Sequence, residues 1–537
     1  MKYFSTRGGD QHLSFEETVL TGLAPNGGLY IPSQIPALPK DWQTSWANYS
    51  FQDLSHAILS LFVPITEISS AELRSLIERS YSTFRHPDVT PVRKLRDREF
   101  VLELWHGPTF AFKDVALQLL GNLFEFFLKR RNKGKAGSSH ETLTVVGATS
   151  GDTGSAAIYG LRGKSDISIF ILHPKNRVSP IQEAQMTTVT DSNVHNIAVK
   201  GTFDDCQDIV KALFADKAFN DKYHLGAVNS INWARILAQI VYYFLAYFQA
   251  TRLIGAGARL QFVVPTGNFG DVLAGWYAKR MGLPMEKLVV ATNSNDILTR
   301  FWATGRYEKS ASFELQPLDG RHSLTESVSG DPESKSASGV KETLSPAMDI
   351  LVSSNFERLL WYLAHESLSD VSETERSENA SKMVRGWMDN LKNNGRAAVP
   401  ARVLELARKE FSAERVDDDE ILETIRLYYE ARDGFVNESY ISDPHTAVGL
   451  AAARRTALQN SPGVHQVILS TAHPAKFSEA VTKALSSNPS LDFDQDVLPS
   501  QFKGLLEKER RVIDVEEPSV EKVRVVISRT LGYGVGK

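Results

Sequence analysis

The chain has one cysteine, Cys206, in 537 residues. No disulfide can close within it, and no cysteine-built metal site can form. That fits a reducing compartment. No apolar run approaches the ~20 residues of a membrane-spanning helix. The first residues, Met1 to Gly9, have neither a signal-peptide apolar stretch nor an Arg/Ser-rich amphipathic leader, so cytoplasm is the expected location. An excess of one charge is also missing. Lys and Arg number 60 and Asp and Glu 64, a formal net charge of −4. This gives no general footing for nucleic acid or an anionic membrane as a partner. No internal repeat is visible. Hydrophobic residues make up 42% of the chain, ample for a large core, and the length suggests about two to four domains.

From about residue 140, short apolar runs alternate with helical stretches. Leu143–Val146, Ile167–Leu172, Val194–Val199, Gln261–Val264, Leu288–Thr292 and Val464–Ser470 read as buried strands. Helical spacing follows from Ser155, over Asp204–Phe214, Val272–Met281 and Lys476–Leu485. This alternation predicts an α/β fold with parallel sheets and helices on both faces. Residues 1–100, with proline turns and a helical stretch at Ser69–Ser80, read as a small N-terminal domain. Residues 101–500 read as a catalytic region of two α/β subdomains, and 501–537 as a C-terminal extension. Within the catalytic region, the polar, serine-rich span 307–342 is expected to be a flexible surface insertion. The charge-dense span 366–434 reads as solvated helix. Its run Asp417-Asp418-Asp419-Glu420 is no metal site, because four consecutive acids do not share one helical face.

The strongest local feature is His106-Gly-Pro-Thr-Phe-Ala-Phe-Lys-Asp114, followed by helical spacing of Val115, Leu119, Leu120, Leu123 and Phe124. Lys113 thus stands at a helix start among aromatic and aliphatic neighbours. Lost hydration and the positive end of the helix dipole both disfavour its ammonium form. A lowered pKa suits an amine for Schiff-base chemistry. A lone lysine there would more often simply snorkel to water. Two glycine-rich turns change that balance: Gly147-Ala-Thr-Ser-Gly-Asp-Thr-Gly154 and Thr266-Gly-Asn-Phe-Gly-Asp271. Each follows a strand and opens a helix, so backbone N–H groups and the dipole favour an anion above it. Neither has the Lys-Ser/Thr pair of a nucleoside-triphosphate loop or the dinucleotide spacing. Together with Lys113 they point to two anionic groups held near one amine. His106, His173, His445 and His473 adjoin prolines and read as structural, His473 with some prospect of a direct role. Cys206 and the run Tyr242-Tyr243-Phe244 read as core packing.

Longer stretches carry a resemblance. They include Tyr3–Gly9, Gly22–Pro32, His106–Asp114, Thr149–Gly154, Ser179–Met186, Asn229–Arg235, Pro265–Asp271, Ser345–Ile350, Ser353–Arg358, Asp443–Thr446 and Ser470–Phe477. With these the chain resembles the threonine synthase family, within the tryptophan-synthase-β-like (fold type II) group of pyridoxal-phosphate enzymes. The likeness runs to about residue 500, apart from the 307–342 insertion. It implies a carbon–oxygen lyase that turns O-phospho-L-homoserine and water into L-threonine and phosphate by γ-elimination and β-hydration, the last step of threonine biosynthesis. It implies pyridoxal 5'-phosphate carried on Lys113, with the cofactor phosphate cradled by Gly267, Asn268, Phe269, Gly270 and Asp271. Thr471, with Ser470 beside it, would meet the ring nitrogen, and Asp152 the ring hydroxyl. Ser150, Gly151 and Thr153 would hold the substrate carboxylate. Arg235, Asn232, Ser5, Thr6 and Arg7 are the candidates for the substrate phosphate. The implied partner is a small molecule, with no metal, and the chain a monomer or homodimer. A phospho-lyase or amino-acid dehydratase of the same fold, and a non-catalytic binding protein that retains it, are the alternatives.

Overall fold

The computed structural model describes residues 1–532 except 256, 311–312, 319–320, 327–338, 432–433, 487 and 489–490. Near the N-terminus, β1 (Tyr3–Ser5) pairs antiparallel with β2 (Tyr30–Pro32). β3 (Val92–Arg96) and β4 (Glu99–Glu103) form an antiparallel pair. β5 (Leu143–Ala148), β6 (Ile167–Pro174), β7 (Val194–Val199) and β8 (Leu225–Gly226) alternate with helices. β9 (Arg259–Pro265) and β10 (Leu288–Thr292) come next. Then come β11 (Arg306–Glu308), β12 (Phe313–Leu318), β13 (Arg321–Glu326), β14 (Arg396–Ala398) and β15 (Phe411–Arg415). β16 (Val464–Ser470) and β17 (Ile513–Val515) complete the set. The larger sheet has the order β15-β10-β9-β16-β4-β3 and is parallel except at the β3–β4 edge. The second has the order β17-β7-β6-β5-β8 and is parallel throughout.

Side-chain alternation explains how each sheet is sandwiched. In the larger sheet Phe100, Leu102, Phe262, Val264, Val290 and Leu469 enter one apolar core. Their neighbours Val101, Val263, Val289, Ala291 and Ile468 enter another, shared with the helices Asp418–Glu430 and Pro444–Ala457. The expected strands appear at their places, Val194–Val199, Leu288–Thr292 and Val464–Ser470 with the same bounds. No helix of the described residues is long and apolar enough to cross a membrane.

Several expectations need correction. The boundary placed at residue 100 falls inside β4, which pairs with β16 within the larger sheet. The span 366–434 contains helices, but also β15, the outer strand of that sheet beside β10. Its sequence, Phe-Ser-Ala-Glu-Arg, is too short and mixed to stand out among helical charge patterns. The acidic run there caps a helix: Asp417 accepts from the Glu420 N–H and Glu420 reaches back to the Asp417 N–H. The span 307–342 begins in β11, where buried Tyr307 holds the Ser353 backbone at both N–H and carbonyl. β12 and β13 then pair antiparallel. Lys341 is tied back to Asn295 through its N–H and carbonyl at 2.9 Å each, and residues 311–312, 319–320 and 327–338 of the expected flexible insertion lie outside the described residues. The extension 501–537 supplies β17 to the second sheet, and its helix Val520–Thr530 shares a core with the helix Phe203–Ala215.

Two helices present their first residues to each other. Lys113–Asn132 begins at Lys113, and Asp152–Leu161 begins at Asp152. They cross at glycines. A Cβ on Gly121 would collide with the Gly160 carbonyl oxygen, and one on Gly160 would come 2.5 Å from the Leu117 carbonyl oxygen. Backbone meets backbone here, and no side chain can rotate aside.

Gly160→Ala tests this contact. Alanine improves helix propensity by about 1 kcal/mol, while overpacking against a fixed backbone costs about 1–3 kcal/mol. The expected outcome is a net loss of stability in chemical denaturation together with weaker cofactor uptake. A variant as stable as the parent would show that the crossing relaxes freely.

Candidate active site

The loops at the carboxyl ends of β4, β5 and β16 meet, the usual place for a ligand in an open α/β sheet. The loop before Lys113 is stitched to the end of β16. Leu104 N–H donates to Ser470 O at 2.9 Å, Phe112 N–H to Thr471 O at 2.8 Å and His473 N–H to Phe110 O at 3.1 Å. Asp114 locks the same loop by accepting from the Thr109 N–H and hydroxyl, each at 2.7 Å. Burial pushes the Asp114 carboxyl up to about 6, against those two hydrogen bonds. Lys113 itself keeps 12% of its side chain exposed. Burial lowers its pKa, and Lys476 and Arg235 add to the lowering while Asp152 and Asp114 oppose it.

Asp152 stands at the centre. Its Oδ2 lies 3.8 Å from Lys113 Nζ, and its Oδ1 lies 2.8 Å from Lys476 Nζ and accepts from Gln182 Nε2 at 2.8 Å. Burial alone would raise this carboxyl, but the two ammonium groups and the Gln182 amide hold it well below the usual range. Lys476 has no exposed side-chain surface and also donates to Thr109 O at 2.7 Å. Neither Lys476 nor Gln182 stands out in the sequence. Both lie in the family-like stretches Ser179–Met186 and Ser470–Phe477, and that placement is the only signal they give. Next to Asp152, Gly151 has φ 150°, and a Cβ there would overlap the Gln182 side chain. Thr149 Oγ1 accepts from Gly151 N–H at 3.0 Å and Gly154 N–H at 2.8 Å, which shapes the turn around Ser150, Gly151 and Thr153.

The second turn is clamped from outside. Ser353 Oγ donates to Gly267 O at 2.6 Å, Ser354 Oγ to Asn268 Oδ1 at 2.9 Å and Asn355 N–H to Asn268 O at 3.0 Å. A Cβ on Gly267 would lie 3.0 Å from Ala347 O. Phe269 takes the left-handed φ of 62° just before Gly270 opens its helix. Asp271 would repel an anion there if ionised. Burial raises it to about 7, opposed by hydrogen bonds from Tyr242 and Tyr243. The tyrosine run is therefore core on its rings and a clamp at its hydroxyls.

Ser470 is committed: it accepts from Trp105 Nε1 at 3.0 Å and from Thr446 Oγ1 at 3.1 Å, and lies 3.2 Å from Tyr440 OH. Its neighbour Thr471 accepts from Phe112 through its carbonyl and donates its N–H to Thr446 Oγ1 at 3.2 Å.

Two buried arginines contrast. Arg358 is saturated by Tyr30 O, Asn355 Oδ1 and Ile231 O. Arg235, 3% exposed, has no hydrogen-bond partner at Nε or Nη1 and no ion pair among the described residues. Burial lowers its pKa to about 10. An unpaired buried guanidinium is costly unless a ligand completes it. The other phosphate candidates are already engaged. Arg7 Nε and Nη2 bond Glu357 at 3.0 and 2.8 Å, Thr6 Oγ1 bonds the same carboxylate at 2.6 Å, and Ser5 Oγ bonds Asn26 at 2.8 Å. Asn232 caps its helix through Oδ1 and donates Nδ2 to Val19 O at 2.8 Å.

Three of the four histidines singled out in the sequence make structural hydrogen bonds, while buried His173 has no hydrogen-bond partner at either ring nitrogen among the described residues. His445 joins Asp443 Oδ1 at 2.8 Å and the Ala347 N–H at 3.0 Å. His106 bonds Glu103 at 2.8 Å. His473 caps the following turn by accepting from Ala475 N–H at 3.2 Å, and burial lowers it to about 3. Burial also pushes the Cys206 thiol up to about 12.

Comparison with known proteins agrees with this geometry. Residues 2–81 match the family model "Threonine synthase N terminus", 84–354 "Pyridoxal-phosphate dependent enzyme" and 446–527 "Threonine synthase, C-terminal". The chain is 54% identical to threonine synthase of Schizosaccharomyces pombe over 99% of this chain and 98% of that one. It is 50% identical to that of Saccharomyces cerevisiae over 98% of each. The crystal structure of yeast threonine synthase matches at TM-score 0.89 and 49% identity, covering 99% of both chains. A pyridoxal-phosphate-bound threonine synthase from Brucella melitensis matches at TM-score 0.81 and 40% identity, also over 99% of both. The residues present fit that cofactor: a buried amine at Lys113, a turn at Gly267 with no room for a side chain, and a neighbouring carboxyl, Asp271, shifted toward neutrality.

The orphaned guanidinium predicts a trade of stability for function. Arg235→Met should raise the stability of the cofactor-free protein by about 1–3 kcal/mol, because an uncompensated buried charge is replaced by an apolar side chain. Thermal unfolding of the two cofactor-free proteins checks it. A lower midpoint for the variant would mean that Arg235 is satisfied without ligand.

Proposed function

The chain belongs to the threonine synthase family of pyridoxal-phosphate enzymes, and on that footing we propose that it converts O-phospho-L-homoserine and water to L-threonine and phosphate. It is a carbon–oxygen lyase. The observation that carries the substrate class is the unpaired buried Arg235 guanidinium beside the buried Lys113 amine. A phosphate is the ligand such a guanidinium recognises best.

When bound, pyridoxal phosphate supplies the electron sink that makes protons next to the amino carbon removable. The chain's own residues do the rest. Lys113 would hold the cofactor through Nζ, and the same amine, when free, would take the substrate's Cα proton, for which its lowered pKa suits it. The N–H groups of the Gly267–Asp271 turn would hold the cofactor phosphate, with the helix Gly270–Met281 behind them. The Thr471 hydroxyl would serve the ring nitrogen, and Asp152 would serve the ring hydroxyl. Ser150, Gly151 and Thr153 orient the substrate carboxylate at the opening of the helix Asp152–Leu161. Arg235 binds the substrate phosphate and stays with it as it leaves Cγ. We keep Thr6, Arg7 and Asn232 as positioning residues: the first two are held by Glu357, and the third caps the helix that carries Arg235.

Purified protein should show a visible absorption band that Lys113→Ala lacks. Incubation with phosphohomoserine should release threonine and phosphate one-to-one. Predominant 2-oxobutanoate and ammonia would instead identify a phospho-lyase, and a colourless wild-type protein that takes up no cofactor would remove the enzyme class.

A further inference from the structure

Lys476 is a second buried lysine in the site, and nothing in the proposed reaction uses it. It has no exposed side-chain surface, and its ammonium is fixed between Asp152 Oδ1 at 2.8 Å and Thr109 O at 2.7 Å. A lysine is almost never fully buried without a partner. Here the partner is the same carboxylate whose other oxygen faces Lys113 at 3.8 Å. The two ammonium groups therefore share one aspartate.

We propose that Lys476 is a positioning residue that sets the protonation of Lys113, by neutralising Asp152 and fixing its second oxygen toward the Lys113 amine. This rests on the reading of Lys113 as the amine that carries the cofactor. Without Lys476, Asp152 would act on Lys113 as a full carboxylate and hold its proton, leaving a poor base. Without Asp152, both lysines would lose their counter-charge. With the pair in place, Asp152 orients the amine while its pull is half spent on Lys476.

The surrounding charges are few. Lys113 is faced by Asp152 from the helix Asp152–Leu161, by Lys476 from the turn Pro474–Phe477, by Arg235 from the helix Trp233–Ile254 and by Asp114 on its own helix. Beyond Lys476 lie His473 and Arg85, the first shifted down far enough to be neutral near pH 7. Gln182 also donates to Asp152 Oδ1, so it helps hold the carboxylate but carries no charge.

The test reads the amine directly in cofactor-free protein. Reductive methylation with formaldehyde is followed across pH, and the Lys113 peptide is quantified by mass spectrometry. Lys476→Gln keeps an N–H donor for Asp152 and Thr109 but removes the charge. Its Lys113 midpoint should move up by about one pH unit or more, as expected when an adjacent carboxylate loses its second counter-charge. Lys476→Arg should stay at the wild-type midpoint. A wild-type midpoint in Lys476→Gln, even with a fall in thermal stability, would mean that Lys476 is only structural and would overturn the proposal. If Lys476→Gln does not fold, the double variant Asp152→Asn/Lys476→Met removes both charges, a change that buried pairs often tolerate. Its midpoint should lie at or below that of the wild type, and a higher one sinks the idea. Lys113 could titrate as stated and still take up no cofactor. In that case the cofactor assignment fails while the charge coupling of Lys476 to Lys113 holds, so the two failures are distinguishable.

Discussion

The backbone contact between Gly121 and Gly160 is the constraint on which the site depends. Each helix carries at its first residue one of the two groups that must meet, Lys113 on one and Asp152 on the other. One helix comes after β4 of the larger sheet and the other after β5 of the second, and no side chain stands between them where they cross. Any Cβ there would thicken the interface and draw the amine and carboxylate apart. Packing fixes the rest of the arrangement. The Lys113 helix is buried along most of its length, so it cannot shift to relieve strain. The loop leading into it is pinned to the end of β16 by the bonds at Leu104, Phe112 and His473.

Around that contact the interior holds charge in three ways. Asp152 and Lys476 are paired and bonded, which makes burial of both tolerable. Asp271 is buried against two tyrosine hydroxyls and lies near neutrality, so the glycine turn keeps its attraction for an anion. Arg235 is left without a partner. Structures satisfy buried polar groups almost everywhere, as Arg358 and its three acceptors illustrate in the same fold. If Arg235 takes the substrate phosphate as proposed, that ligand's binding energy sustains the exception, and stability elsewhere in a large core covers it when the ligand is absent.

The sheet strands were legible because a strand buried on both faces is a nearly continuous apolar run, as Leu288–Thr292 is, and Val194–Val199 and Val464–Ser470 resume that pattern after one polar pair near their start. Lys113 and the two glycine turns were legible because a strand-to-helix turn needs glycine and an amine needs a place to lose its water. β4 and β15 were hidden, since each carries charged residues within its five and lies in a stretch whose composition points elsewhere. The phosphate candidates Thr6 and Arg7 looked free because nothing local announces Glu357, some 350 residues away.

The sequence by itself determined the alternating α/β order, the amine at a helix start, the glycine turns that open two helices and the family of chemistry these resemble. All of these depend on neighbours within a few residues. Only the tertiary structure decided which charges are paired. Contacts between distant segments make Asp152 serve two lysines, tie the Asn232 cap to Val19 and leave Arg235 without a partner. Coulomb forces and desolvation depend on distance in space, and no local pattern encodes that.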